Sequence, residues 1–197
     1  MGDLSNRALM ILHEWVKSES LRKHCYAVAD SMKYFAPLSG AAEDVDLWEA
    51  VGLLHDMDYE KHPNLERSST EGHPFVGVQW LRDNGWSEEA CRAILSHADY
   101  SGVESQTNLE KTLRAVDELS GFVVAVALVR PSKSINDVEL SSVKKKMKDK
   151  AFARAVNREE IVHGAEQLGM PLDEVITNVI AALKADGDRL GLAGVAS

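Results

Sequence analysis

Seven histidines lie along the 197-residue chain, and four of them stand where an imidazole can do more than fill space. His55 is followed at once by Asp56, and the pair ends an apolar stretch, AVGLLHDMDY. A carboxylate at the end of a buried helix is costly unless it is paired or bound to a metal ion. His24 shares a helical face with Leu21, Cys25 and Val28, and Asp117 shares one with Leu113, Val116, Ser120 and Val124. An aspartate on an apolar stripe also needs a partner. His73 and His97 are expected at the ends of two further helices, which gives the order His, His-Asp, His, His, Asp. Imidazoles and carboxylates together suit manganese, iron, cobalt, nickel or zinc better than magnesium or calcium. Neighbouring side chains on a helix point in different directions, so one of the pair can serve one ion while Asp56 bridges to a second. The alternative for a single histidine is a satisfied core residue. For His73 and His97 it is a helix-terminal residue bonded to a backbone carbonyl.

Helices must carry these groups. Helical periodicity runs through nearly the whole chain, and strand-like alternation is almost absent. The spacing predicts helices over about 6–17, 21–35, 46–55 and 74–84, and a fifth that carries Ala90, Ile94 and His97. Pro37 is expected to stop the second helix and Gly85 the fourth. Ser87 is placed to cap the fifth, with Glu88 and Glu89 in its first turn. A long helix over about 109–129 precedes Pro131, and three more follow over about 138–148, 158–168 and 171–190. Everything after about Pro131 is expected to be a helical appendage on the same core. The longest apolar run, Phe122 to Val129, is too short to span a bilayer and reads as buried helix.

The bulk properties exclude several classes. A hydrophobic fraction of 45% with 27% charged residues is that of a globular chain rather than a disordered one. A net charge of -9 fits poorly with duplex nucleic acid, which asks for a broad basic face. Cys25 and Cys91 sit in apolar helical patterns and form no CxxC pair, as expected of small core residues in a reducing, cytoplasmic setting. The first residues show neither a secretory signal nor a lipidation pattern.

The ordered donors resemble the HD-domain superfamily. Its minimal pattern of His, His-Asp and a distant Asp matches His24, His55-Asp56 and Asp117, and the two added histidines of its dinuclear subgroup match His73 and His97 in EGHPFVG and ILSHADY. The resemblance covers about 18–130 and implies an all-α fold, an HD-domain helical core with a C-terminal helical extension over about 131–197. It also implies a ligand assignment. His24, His55, Asp56 and Asp117 would hold one metal ion, and Asp56, His73 and His97 a second. Four neutral imidazoles and two carboxylates against two divalent ions leave a formal charge of about +2, which suits a small anionic substrate. The implied activity is a metal-dependent phosphohydrolase acting on a small phosphoester or nucleotide through metal-activated water, with Asp56 as the catalytic residue. The same six ligands also occur in mixed-valent di-iron oxygenases, and a non-catalytic metal-bound sensor is the third reading. Met57-Asp58 follows the pair in place of Ile-Gly, and no Gly-Tyr-Pro motif follows, which argues against the cyclic-dinucleotide phosphodiesterases defined by that motif.

The remaining polar residues carry smaller expectations. His13, His62 and His163 read as structural or surface residues. Asp58 and Lys61 read as solvated charges of the loop after the His-Asp pair, with contact to substrate or proton relay by one of them as the alternative. Asp99 is a candidate to orient an imidazole. A basic island runs from Arg130 to Arg154, with eight Lys and Arg against three Asp and Glu. From it and the loop, Lys133 and Lys61 are the candidates for contact with substrate.

Overall fold

The computed structural model describes residues 2–194 and is all-helical, with no named strand among those residues. The helices are α1 (Asp3–Trp15), α2 (Glu19–Leu38), α3 (Val45–Leu54), α4 (Phe75–Asp83), α5 (Glu88–Ser96), α6 (Asn108–Leu128), α7 (Leu140–Met147), α8 (Arg158–Leu168), α9 (Leu172–Ala185) and α10 (Gly187–Leu190). Local chemistry starts four of them. The Ser18 side chain accepts the Leu21 amide at the head of α2, Ser87 accepts the Ala90 amide at the head of α5, and Asn157 accepts two amides of α8. At α6, Thr107 and Glu110 bond each other's backbone in a capping box, which satisfies donors that a helix N-terminus leaves open.

Three boundaries differ from the sequence expectation. α2 runs on through Pro37 to Leu38. In the last turn the proline omits one backbone bond, to the carbonyl of exposed Lys33, so little is lost by continuing. The expected helix over 171–190 is two helices, broken at Asp186, where the backbone leaves helical geometry and α10 turns so that Arg189 pairs with buried Asp30. The apolar run Phe122–Val129 is buried at Phe122, Val123, Val126 and Ala127, but Leu128 and Val129 are half exposed at the end of α6. No described helix is long and apolar enough to cross a membrane.

The centre of the bundle is the pairing of α2 with α3 and α6. α2 and α3 meet at Gly52, where an added Cβ would stand 2.6 Å from the Ala29 Cα and 2.8 Å from its nitrogen. Only glycine permits that approach, and it brings the end of α3, with His55 and Asp56, against the helix that carries His24. α2 meets α6 through the buried hydroxyls of Ser31 and Ser120, 2.9 Å apart. The segment after Pro131 packs on this core, α8 along α6 and α9 against α2 and α6. Both cysteines are free and buried.

Gly52→Ala should therefore push α2 and α3 apart and lower the unfolding free energy by about 1–3 kcal/mol in urea, the usual cost of overpacking a core. Unchanged stability would show that the two backbones are not in this contact.

Candidate functional site

Five helices deliver the six side chains to one place. His24 comes from the middle of α2, His55 and Asp56 from the end of α3, and His73 from the turn before α4. His97 is the C-cap of α5, and Asp117 lies midway along α6. They form two groups of donor atoms, His24, His55 and Asp117 in one and Asp56, His73 and His97 in the other. Asp56 stands between them. Its Oδ2 lies 3.6 Å from His24 Nε2 and 3.5 Å from His55 Nε2, while its Oδ1 lies 3.3 Å from His73 Nε2 and 3.6 Å from His97 Nε2. Asp117 Oδ1 is 3.0 Å from His24 Nε2 and 3.4 Å from His55 Nε2.

The imidazoles are oriented by their other nitrogens. At the end of a helix the last carbonyls lack intrahelical partners. His55 Nδ1 donates to the Gly52 carbonyl at 2.8 Å, and His97 Nδ1 donates to the Ile94 carbonyl. A carbonyl only accepts, so each Nδ1 carries the proton and each Nε2 presents its lone pair to the cluster. The helix-terminal role weighed for His97 from sequence is thus met by one nitrogen while the other stays free for the centre. His73 is held differently. Its Nδ1 lies 2.7 Å from Asp58 Oδ1, and the other Asp58 oxygen accepts the Gly77 amide in the first turn of α4 at 2.6 Å. Asp58 is buried, with 1% of its side chain exposed, which corrects the expectation of a solvated loop charge. Gly77 makes room for it, since a Cβ there would stand 2.9 Å from the Asp58 Cγ.

The donor set fits divalent transition metals. Donors about 2.1 Å from a common centre stand about 3.0 Å apart at right angles and about 3.4 Å apart at tetrahedral angles, the range seen in the cluster. Two pairs of imidazoles approach to an Nε2···Nε2 separation of 3.2 Å, His24 with His55 and His73 with His97. With the Nδ1 protons of His73 and His97 fixed, these two neutral rings would point lone pairs at one another, so a cation belongs between them. In the metal-free protein a proton on His55 supplies positive charge to the cluster. Burial pulls the His55 imidazole down, but the Asp56 and Asp117 carboxylates outweigh it and raise its pKa to about 9. Burial alone would push the two carboxylates up, yet the imidazoles, His55 first, hold both below the usual range.

Above the donors opens a cleft of about 330 Å³. Three larger hollows elsewhere contain none of the six side chains. Tyr59, Arg67 and Tyr100 line one part of the cleft, and Glu118, Val156 and Glu160 another. Burial, then Asp56 and Asp58, push the Tyr100 hydroxyl up to about 12, so it stays a proton donor, and it donates to the His73 carbonyl at 3.1 Å. Burial and then Asp117 push Glu118 up to about 7. Neither Lys61 nor Lys133 lines the cleft. The Lys61 ammonium lies over the Trp15 ring, and Lys133 is exposed beyond the far end of α6. Asp99 borders the cleft but pairs with Arg114, and orients no imidazole. His13 bonds the Tyr26 hydroxyl, His62 lies near Trp15 and His163 is exposed, all away from the cluster.

The fold and site define a class, all-helical proteins that gather imidazoles and carboxylates from several helices into one cluster. More narrowly, the chain belongs to the HD-domain family, whose model, described as HD domain, matches residues 21–121. That range holds all six side chains and ends before the segment that supplies Val156 and Glu160. The family is one of metal-dependent phosphohydrolases. Comparison with curated proteins and with solved structures gave no match.

The raised His55 pKa sets a pH dependence. A charge favoured by folding stabilises fully below the unfolded-state value of about 6.5, and its contribution is lost as pH rises through about 9. Chelator-treated protein should therefore lose thermal stability from near-neutral pH to above 9. Divalent metal competes with those protons, so its affinity should rise over the same range. A flat stability profile of the metal-free protein would refute the proton-holding cluster.

Proposed function

We propose that the chain is a metal-dependent phosphohydrolase of a small phosphoester, with its centre held by His24, His55, Asp56 and Asp117 on one side and by Asp56, His73 and His97 on the other. The observation that carries this reading is the position of Asp56, whose two oxygens each face a separate pair of imidazole nitrogens. A single carboxylate so placed is built to be shared by two cations. Divalent ions bound there would acidify a water toward neutral pH and offset charge on a phosphoryl group. The chain's own residues do the rest. Asp56 spaces the two halves of the centre. The Gly52 and Ile94 carbonyls and the Asp58 carboxylate fix three imidazoles in the tautomer that leaves Nε2 free. Among those three outer partners only Asp58 is charged, so His73 becomes the most strongly donating ligand. Tyr100, neutral and anchored on the His73 carbonyl, offers the cleft a hydroxyl and no competing anion. A cytoplasmic setting belongs to this reading and is supported by two free, buried thiols.

Elemental analysis of freshly purified protein should find about two transition-metal ions per chain, and phosphate should be released from small phosphomonoesters. Asp56→Ala should lose both ions and all turnover. Retention of both would sink the proposal, and iron with oxygen consumption but no phosphate release would replace it with oxygenase chemistry. Asp58→Asn should bind one of the two ions about 10- to 100-fold more weakly, read by metal titration, with the other affinity nearly unchanged. Equal loss at both would deny Asp58 its assigned place behind His73.

A further inference from the structure

We infer that the cleft selects a small phosphomonoester whose other end carries an ammonium group, with Arg67 on the phosphoryl oxygens and Glu118 and Glu160 receiving the ammonium. This rests on the metal-centre reading above and adds the substrate class.

Arg67 is the one cationic side chain among the described residues lining the cleft. Its backbone is in the left-handed region at φ 54°, which a non-glycine residue adopts at a cost and which often marks functional sites. A local network holds it there. The Arg67 amide donates to the Asn64 carbonyl at 3.1 Å, and Asn64 Nδ2 donates to the carbonyls of Ser68 and His73 at 2.8 and 3.0 Å. The loop that carries Arg67 is thereby tied to the backbone of a proposed ligand. The guanidinium lies 5.4 Å from the centre of the Tyr100 ring and has no carboxylate partner among the described residues. An arginine fixed by a ring, with its fork free, suits bidentate contact with phosphoryl oxygens.

The wall built by α6 and α8 has the other sign. Glu118 accepts the Asn157 amide at 3.2 Å, and Glu160 accepts Asn157 Nδ2 at 2.8 Å. Neither has a cationic side chain within ion-pairing distance among the described residues, whereas Asp99 nearby is neutralised by Arg114. The charge balance then picks out a substrate. The proposed centre carries a formal charge of about +2, Arg67 raises it by one, and the two glutamates, once an ammonium beside Glu118 holds it ionised, lower it by two. A phosphoryl dianion joined to an ammonium matches what remains. A second phosphate or a carboxylate would meet the glutamates with no cation to offset it. The volume of about 330 Å³ keeps the molecule small.

Calorimetric titration of the metal-loaded full chain, in the cold, with 2-aminoethyl phosphate, 2-hydroxyethyl phosphate and phosphoglycolate tests this, with phosphate release assayed in parallel. The ammonium ester should bind about fivefold more tightly than the hydroxyl ester, and the carboxylate ester most weakly. Glu160→Gln should reduce that preference, and the double change with Glu118→Gln should erase it, both with metal content retained. Arg67→Ala should weaken all three esters alike, by about tenfold or more, again with metal content retained. Equal binding of the ammonium and hydroxyl esters, tighter binding of the carboxylate ester, or indifference to Arg67→Ala would overturn the inference. Arg67-dependent, ammonium-preferring binding without phosphate release would support the inference while refuting the hydrolase reading, so the two can fail separately.

Discussion

Two imidazole nitrogens 3.2 Å apart, each with its lone pair turned inward, cannot both be neutral neighbours without something positive between them. This constraint holds for His73 and His97, whose Nδ1 protons are fixed, and much of the surrounding structure is arranged to keep it. The rings cannot turn away. His55 and His97 are pinned by carbonyls at the ends of their own helices, and His73 by a buried carboxylate. The strain of gathering four bases is met by two carboxylates placed so that each touches imidazoles from more than one helix. Without metal, the Asp56 and Asp117 carboxylates outweigh burial and keep the fully buried His55 charged well above neutral pH. An arrangement that stabilises extra protons inside a core is also one that divalent ions can occupy by displacing them.

The bundle serves the cluster through helix ends and one close crossing. A helix terminus leaves carbonyls unpaired, and a histidine placed there can satisfy one while its far nitrogen reaches outward. α3 and α5 both end this way. The crossing at Gly52 brings the end of α3 against α2, so backbone contact rather than side-chain reach sets the spacing between His24 and the His-Asp pair. Asp58 adds the asymmetry. It leans on the Gly77 amide at the start of α4, where the helix dipole favours a negative charge, and passes that charge to His73. The two halves of the centre therefore differ in their outer partners although their inner donors are alike.

The cluster of six side chains and the helical class were legible because both are written locally. Periodicity placed His24 and Asp117 on apolar faces, and the order of six residues matched a family pattern. The spacing predicts a helix over about 158–168, and α8 has those bounds, capped by Asn157 and closed by Gly169 in the left-handed region. What was not legible depends on the path of irregular chain. Asp58 has the look of a loop charge, and nothing in DMDYEKHP says that the turn folds inward to meet Gly77. Arg67 sits in a polar stretch with no periodicity, and its approach to Tyr100 is a tertiary accident of the loop. Lys61 and Lys133 were plausible cations by composition, yet reach to a cleft is a matter of direction. The break at Asp186 was hidden because the apolar stripe of α9 continues toward Leu190 in register.

The division between the matched family region and the rest of the chain is also a division of labour. Among the described residues, both groups of donors that could hold metal lie within residues 21–121, so on the proposed reading the reaction chemistry belongs to that region. Glu160 and the asparagine that links it to Glu118 come from beyond that region, on the segment that α8 docks along α6. On the proposed reading, the wall that would meet the distal end of a substrate is shared, with Glu118 inside the matched region and Asn157 and Glu160 outside it. A metal centre of net positive charge attracts any phosphate, and alone it would discriminate poorly. An acidic wall supplies the missing selectivity by penalising further anions, the repulsive half of specificity. The acidic overall balance of the chain then has a local meaning at this cleft, since a basic surround would bind polyphosphates without distinction.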